Sequence, residues 1–97
     1  PPTAPLRFGV LGLGAIAQTA HLPVLSKMRG VQIAALCDND AAKARGIAQR
    51  FGAAHWCTDI DELVELDLDA LIVCSPNHAH EVHVLSALKA GLHVLAE

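Results

Sequence analysis

The stretch of sequence that decides the fold reads FGVLGLGAIA, from Phe8 to Ala17. An apolar run enters two closely spaced glycines, Gly12 and Gly14, and an apolar pattern with helical spacing leaves them. With Ala17 the glycines complete the pattern G-x-G-x-x-A. A strand–turn–helix of this kind lets the backbone approach a pyrophosphate and points helix N–H groups at it. The stretch predicts a dinucleotide site, provided that the flanking elements and a following acidic residue fit.

The rest of the chain alternates between strand-like and helix-like patterns. The predicted strands are Leu6–Leu11, Val31–Cys37, His55–Cys57, Ala70–Cys74 and Leu92–Ala96. The predicted helices are Ala15–Met28 with a kink or break at Pro23, Ala41–Phe51 capped by Asp40, a short helix from a Thr58 or Asp59 cap through Glu65, and Ala79–Ala90. This alternation with short links predicts the α/β class, as a doubly wound parallel Rossmann sheet with strand order 3-2-1-4-5.

Within the predicted helices, apolar spacing indicates which residues face the core. In Ala41–Phe51 the buried stripe is expected to be Ile47, Ala48 and Phe51. In Ala79–Ala90 the residues expected to point mostly inward are Val82, Leu85, Ala87 and Leu88.

Size and composition predict one dinucleotide-binding domain over residues 6–97, preceded by an extended Pro-rich tail, Pro1–Pro5. The 97 residues are 53% hydrophobic, which is enough for a core. The net charge is −3 and no basic stripe occurs, so nucleic acid is not an expected partner. No apolar run reaches the roughly 18 residues of a membrane span. No secretion leader is visible either, so we expect a cytoplasmic protein.

The cysteines and histidines give no metal signal. The three cysteines are widely spaced without a C-x-x-C pair, so we expect buried, reduced thiols near strand ends: Cys37, Cys57 and Cys74. Imidazoles can bind zinc, but the H-x-H-x-x-H run lacks a carboxylate or Cys ligand at fixed spacing. We therefore predict no metal, with His80 near the cofactor and the other two as surface or packing residues, His78 and His83.

Three features converge on one edge of the predicted sheet, at the crevice between strands 1 and 4. They are the glycine turn, Asp38 after strand 2, and the segment Ser75-Pro76-Asn77 after strand 4. Asp38 follows Gly14 by 24 residues, near the roughly 20 expected of a carboxylate that binds the adenosine ribose.

Asp38 would repel a 2′-phosphate, and Asn39 rather than Arg follows it, so NAD is predicted over NADP. Two nearby cations are interpreted as solvated charges on a helix face, Lys43 and Arg45.

These residues together resemble the N-terminal domain of the glucose–fructose oxidoreductase, inositol dehydrogenase and rhizopine-catabolism family (Gfo/Idh/MocA). The resemblance runs from about Leu6 to Glu97 and is most specific in two segments, Ser75-Pro76-Asn77-x-x-His80 and Ala90-Gly91-x-His93-Val94-x-x-Glu97. In this family the second segment leads into Glu-Lys-Pro, whose lysine lies near the nicotinamide and is usually assigned to catalysis. We expect the chain to be part of a longer polypeptide that stops before this lysine, without the family's second α/β domain.

The resemblance implies an oxidoreductase that moves hydride between a nicotinamide and a hydroxyl-bearing carbon of a sugar, inositol or related polyol. The second domain would supply the remaining catalytic groups, the substrate pocket and a homo-oligomer interface. No catalytic residue is assigned within this chain, so it is expected to be inactive alone. The implied cofactor-binding residues are Gly12, Leu13, Gly14, Ala15 and Ile16 at the pyrophosphate, Asp38 at the ribose, and Ser75, Pro76, Asn77, His80 and Glu97 towards the nicotinamide.

Two other functions fit the same residues. One is a regulatory protein that senses NAD(P) without catalysis. The other is a Rossmann domain for a different ligand such as S-adenosylmethionine, against which the Ala-Gly-x-His-Val-x-x-Glu ending argues.

Overall fold

The computed structural model describes residues 4–96, without the side chains of Asn77 and His78. Five strands form one parallel sheet in the order β3-β2-β1-β4-β5, which confirms the predicted topology. The strands are β1 Leu6–Leu11, β2 Val31–Cys37, β3 His55–Cys57, β4 Ala70–Val73 and β5 His93–Ala96. Of the expected tail, only residues 4 and 5 are described, and both are exposed.

Helices cover both faces of the sheet. They are α1 Leu22–Lys27, which continues a π-helical segment Ala17–His21, then α2 Ala41–Phe51, α3 Ile60–Val64 and α4 Asn77–Lys89. One core cluster joins the sheet to α1 and α2, and the other joins it to α3 and α4. Within residues 4–96, no helix combines the length and the apolar character needed to cross a membrane.

The first helix carries the irregularity expected near Pro23. Pro23 lies in the first turn of α1, and the turn before it is widened because the Leu22 N–H donates to the Ala17 carbonyl, five residues back. A proline has no N–H and its ring crowds the carbonyl four residues earlier, which a π-type turn relieves. The helix therefore widens rather than breaking at this point.

Helix caps follow from local side chains. The Asp40 carboxylate accepts a hydrogen bond from the Lys43 N–H at the start of α2. Of the two candidates before α3, Asp59 is the cap and accepts from the Asp61 N–H. Such caps satisfy N–H groups that have no partner within the helix.

Two element boundaries differ from the sequence prediction because of particular hydrogen bonds. Helix α4 begins directly after Pro76, whose carbonyl accepts from the Ala79 N–H at 2.9 Å, so it starts two residues early. Leu92, predicted in the last strand, instead donates its N–H to the Ala87 carbonyl at the end of α4. Smaller differences of one residue occur at the C-terminal ends of α1, β4, α3 and α4.

The prediction of which α4 residues point inward is largely wrong. Ala87 is fully buried, but three apolar residues are exposed: Val82 (63%), Leu85 (49%) and Leu88 (53%). Apolar side chains occur all around this helix, so their spacing alone does not select the buried side. In α2, where polar and apolar residues segregate, Ile47 and Ala48 are buried as predicted and Phe51 packs against them half-buried.

Candidate functional site

A cavity of about 540 Å³ lies where the strands end. The three segments singled out in the sequence meet here, with lining residues that include Gly12, Leu13, Gly14, Asp38, Ser75 and Pro76. Small-molecule sites usually measure about 300–1,000 Å³ and lie at this switch point of an open α/β sheet. The cavity is therefore the candidate ligand site.

The turn after β1 depends on two glycines that do different things. Gly12 has φ +89°, and a Cβ there would lie 2.7 Å from the backbone of Cys74 and Ser75. Its N–H donates to the Cys37 carbonyl at 2.9 Å, which ties the turn to β2. A Cβ at Gly14 would instead meet nothing within 4 Å. Gly12 thus allows tight packing of the backbone, and Gly14 leaves open space beside the turn.

Asp38 joins the end of β2 to this turn. Its carboxylate is buried, with the residue 8% exposed. Oδ2 accepts from the Leu13 N–H at 2.8 Å and Oδ1 accepts from the Asp40 N–H at 2.9 Å. An ionised carboxylate has about four lone-pair positions, so acceptor capacity is left towards the cavity. The side chain therefore holds the turn and also lines the cavity.

Lys43 corrects one interpretation made from the sequence. Its Nζ lies 3.6 Å from Oδ2 of Asp38, and it lines the cavity rather than serving only as a solvated helix charge. Among the described lining residues it is the only Lys or Arg. The pair is partly exposed, so it adds little stability, but it places a positive charge beside the carboxylate.

The opposite wall is built on the end of β4 and on α4. Ser75 is buried, and its Oγ lies 2.7 Å from Nδ1 of His83, which also lines the cavity. His80, expected near the cofactor, places Nε2 3.2 Å from the Val73 carbonyl and is not among the described lining residues. His83 was expected to be a surface or packing residue. It lies four residues after Ala79, another lining residue, so both are on one helix face, but the sequence pattern does not mark that face as the one that meets the cavity.

The remaining predicted residues are placed less directly. Ala15 and Ile16 are exposed at the start of the first helix and are not among the lining residues described. Asn77 is helical, but its side chain is not described, and Glu97 lies outside the described residues. Two further lining residues were not predicted as site residues: Ile60, and Thr58, which was considered only as a possible helix cap and as part of the family resemblance. In the described part of the chain, no group of three or more His, Cys, Asp or Glu side chains could hold a metal ion.

The fold and the glycine turn are typical of Rossmann nucleotide-binding domains, and comparison with known proteins gives the family. Residues 6–97 match the family described as the oxidoreductase family with an NAD-binding Rossmann fold, GFO_IDH_MocA. The chain belongs to this family, as its sequence indicated.

Several relatives of the chain are dehydrogenases. The chain is 33% identical over 96 residues to D-glucoside 3-dehydrogenase of Escherichia coli, covering 98% of the chain and 27% of that enzyme. It is 37% identical over 93 residues to inositol 2-dehydrogenase 3 of Saccharopolyspora erythraea, covering 95% of the chain and 27% of that enzyme. The chain thus spans about a quarter of the length of these relatives.

Solved structures show the same fold with either form of the cofactor. A 3-ketoreductase from Actinomadura kijaniata, in complex with TDP-benzene and NADP, matches with a TM-score of 0.89 and 33% identity, over 95% of the chain and 29% of that structure. Scyllo-inositol dehydrogenase from Lactobacillus casei, with bound NAD(H) and scyllo-inositol, matches with a TM-score of 0.88 and 26% identity, over 95% of the chain and 27% of that structure. Neither NAD nor NADP is singled out by these neighbours.

Proposed function

We propose that the chain binds a nicotinamide dinucleotide with the pyrophosphate over the turn Gly12–Gly14 and the adenosine ribose on Asp38. The observation that carries this proposal is the buried Asp38 carboxylate, held on the Leu13 N–H and facing the cavity. The open space at Gly14 gives the pyrophosphate room to approach the backbone. Ala15 and Ile16 would contribute N–H groups from the first turn of the helix.

The proposed preference is for NAD. A carboxylate at the ribose accepts hydrogen bonds from both hydroxyls of NAD and repels the 2′-phosphate of NADP. Lys43, 3.6 Å from that carboxylate, offsets part of this repulsion. We therefore expect NADP to bind more weakly than NAD but still measurably.

The β4–α4 wall would hold the part of the cofactor beyond the pyrophosphate. Ser75 and Pro76 line the cavity, and His83 fixes the Ser75 hydroxyl. By resemblance to the family, the nicotinamide side would also include Asn77, His80 and Glu97. In this arrangement the protein positions the cofactor, and the hydride chemistry is the cofactor's own.

For the whole protein, we propose that its activity is hydride transfer between the nicotinamide and a hydroxyl-bearing carbon of a sugar, inositol or related polyol. The dehydrogenase relatives support this class. No residue of the cavity is assigned as the acid or base that must move the hydroxyl proton. We therefore expect the 97 residues alone to bind the dinucleotide without turning over a polyol.

Calorimetric titration of the chain tests this proposal, with NAD, NADP and S-adenosylmethionine as separate ligands. We expect one NAD molecule to bind per chain, NADP to bind more weakly, and S-adenosylmethionine not to bind. Binding of S-adenosylmethionine alone would overturn the proposal in favour of that ligand.

Turnover is checked separately, by following reduced nicotinamide after adding myo-inositol and glucose. Polyol oxidation by the 97 residues would contradict the expected inactivity. The alternative, an NAD(P) sensor, gains support if a longer form of the protein has a residue other than Lys after Glu97, and if that form binds NAD without turnover.

A further inference from the structure

Two cysteines face each other across neighbouring strands. Cys37 at the end of β2 and Cys57 at the end of β3 are register partners in the parallel sheet. Neighbouring strands lie about 4.8 Å apart, inside the Cα separation of about 4.4–6.8 Å that a disulfide spans. Both side chains are buried in the same core cluster on the α3 side of the sheet. The register therefore places the two cysteines side by side on one face of the sheet, at a Cα separation that a disulfide can span.

The two thiols are chemically unequal. A side-chain hydrogen bond to Cys57 is the largest cause that raises the pKa of Cys37, and burial raises it further. The same bond is the largest cause that lowers the pKa of Cys57, with a smaller contribution from the backbone of Asp59, although burial opposes both. Cys57 is thus the sulfur that more readily becomes the nucleophilic thiolate.

We propose that Cys37 and Cys57 form an oxidisable dithiol that closes to a disulfide by exchange with a small-molecule disulfide such as glutathione disulfide. The Cys57 thiolate attacks one sulfur of glutathione disulfide, forming a mixed disulfide and releasing one glutathione thiolate. Cys37 then loses its proton to solvent as its sulfur attacks Cys57 Sγ, releasing the second glutathione. The protein loses two electrons and two protons, and one glutathione disulfide becomes two thiols.

The location of β3 gives an oxidant a route to these buried sulfurs. β3 is a three-residue strand at the edge of the sheet, and its first two residues, His55 and Trp56, are exposed. Short edge elements with little burial open locally at much lower cost than global unfolding. Opening of β3 would expose Cys57 first, which is the thiol suited to attack.

The dithiol is connected to the cavity through the backbone. The Cys57 carbonyl accepts from the Asp38 N–H at 3.2 Å, and the Cys37 carbonyl accepts from the Gly12 N–H at 2.9 Å. Cys37 also lines the cavity. A dinucleotide bound to Asp38 and to the turn would hold both strands in place. This part rests on the proposed function, and it predicts that NAD slows formation of the disulfide.

The experiment treats the intact chain with excess glutathione disulfide, alkylates the remaining thiols in denaturant and maps the peptides by mass spectrometry. The expected product has a Cys37–Cys57 bridge and one alkylated cysteine, Cys74. A chain that keeps all three thiols alkylated, or that pairs Cys74 instead, overturns the proposal.

Single variants test the order of the two steps. Cys37→Ser should accumulate a mixed disulfide on Cys57, whereas Cys57→Ser should leave Cys37 unmodified. Cys74→Ser is the control and should form the Cys37–Cys57 disulfide as the unsubstituted chain does. Glutathione on Cys37 in Cys57→Ser would overturn the assignment of the nucleophile, and thermal unfolding checks that each variant is folded.

The effect of NAD is measured separately from NAD binding. A rate of bridge formation that falls at saturating NAD supports the connection to the cavity. An unchanged rate, while calorimetry shows NAD bound, overturns that connection. If calorimetry shows no NAD bound, the proposed function fails. Whether the Cys37–Cys57 disulfide forms in the ligand-free chain still tests the dithiol proposal.

Discussion

The two walls of the cavity are built in different ways. The wall on β1 and β2 is fixed by hydrogen bonds from backbone N–H groups of the turn: the Gly12 N–H donates to the Cys37 carbonyl, and the Leu13 N–H donates to the Asp38 carboxylate. In the wall on β4 and α4, the Cys74 N–H donates to the Leu11 carbonyl at 2.7 Å, but the lining hydroxyl of Ser75 is held by a side chain, His83. Behind it, α4 leaves much of its apolar surface exposed. The first wall is thus preorganised for a ligand, and the second has more freedom to adjust.

This difference assigns recognition to the first wall. Groups that are already held in place lose little entropy when a ligand binds, so they contribute most of their interaction to affinity. Substitutions in the β1–β2 wall should therefore have large effects, and substitutions in the β4–α4 wall should have small ones.

The largest effect is expected for Gly12→Ala. The new Cβ would collide with the backbone of Cys74 and Ser75 at a positive φ, so both the turn and its contact with β4 must shift. We expect a loss of about 2–4 kcal/mol in the free energy of unfolding and at least about 100-fold weaker NAD binding, near 2.7 kcal/mol. Denaturant unfolding and calorimetry measure the two effects.

Two other glycines serve as matched controls for Gly12. The new Cβ of Gly14→Ala meets no atom within 4 Å, so the free energy of unfolding should not change. NAD should bind more weakly, because the methyl group enters the proposed pyrophosphate position. Gly46→Ala, within helix α2, also meets no atom and should stabilise by about 0.5–1 kcal/mol. Unimpaired NAD binding by Gly14→Ala would place the pyrophosphate elsewhere.

The next effect in size is expected for Asp38→Ala. NAD should bind about 10- to 100-fold more weakly, because the ribose loses its acceptor and the Leu13 N–H loses its partner. NADP should be affected less, so the preference for NAD narrows. Asp40→Ala, which removes only the α2 cap, should cost about 1 kcal/mol of stability without changing that preference. If calorimetry finds the preference of Asp38→Ala unchanged, the ribose does not lie on Asp38.

A smaller change in preference is expected for Lys43→Met. Its Nζ is the positive charge beside Asp38, so its removal should weaken the binding of NADP several-fold more than the binding of NAD. Arg45→Met, on the same helix but not among the described lining residues, is the matched control. Equal effects of Lys43→Met on NAD and NADP would mean that Lys43 does not face the 2′ position.

The smallest effect is expected in the second wall, for His83→Ala. It removes the partner of the Ser75 hydroxyl and should weaken NAD only a few-fold, with a coupling to Ser75→Ala of about 0.5–1.5 kcal/mol in a double-mutant cycle. His93→Ala, at an exposed residue of β5 that is not among the described lining residues, is the control and should change NAD binding less. A loss for His83→Ala as large as that for Asp38→Ala would remove the distinction between the walls.

The sequence predicted the parts of this site that are set by local chemistry. The Gly12 turn and the placement of Asp38 follow from a strand, a tight turn and the next strand, each readable from neighbouring residues. His83 and Lys43 were misjudged because their roles depend on which helix face meets the cavity. In α4 that face is not marked by the apolar pattern, since Val82 and Leu85 are exposed. Sequence alone also gave no reason to pair Cys37 with Cys57, because that pairing depends on the register of β2 and β3.

The central claim is that a nicotinamide dinucleotide lies across the Gly12 turn with its ribose on Asp38. Amide NMR spectra of the ¹⁵N-labelled chain, recorded during titration with NAD, test this most directly. The account predicts the largest shifts at the amides of Gly12, Leu13, Gly14 and Asp38, with smaller shifts at Ser75 and His83. It would be contradicted if these amides stayed unchanged while NAD bound, or if the shifts were confined to the opposite end of the sheet, near Gly30 and Asp69.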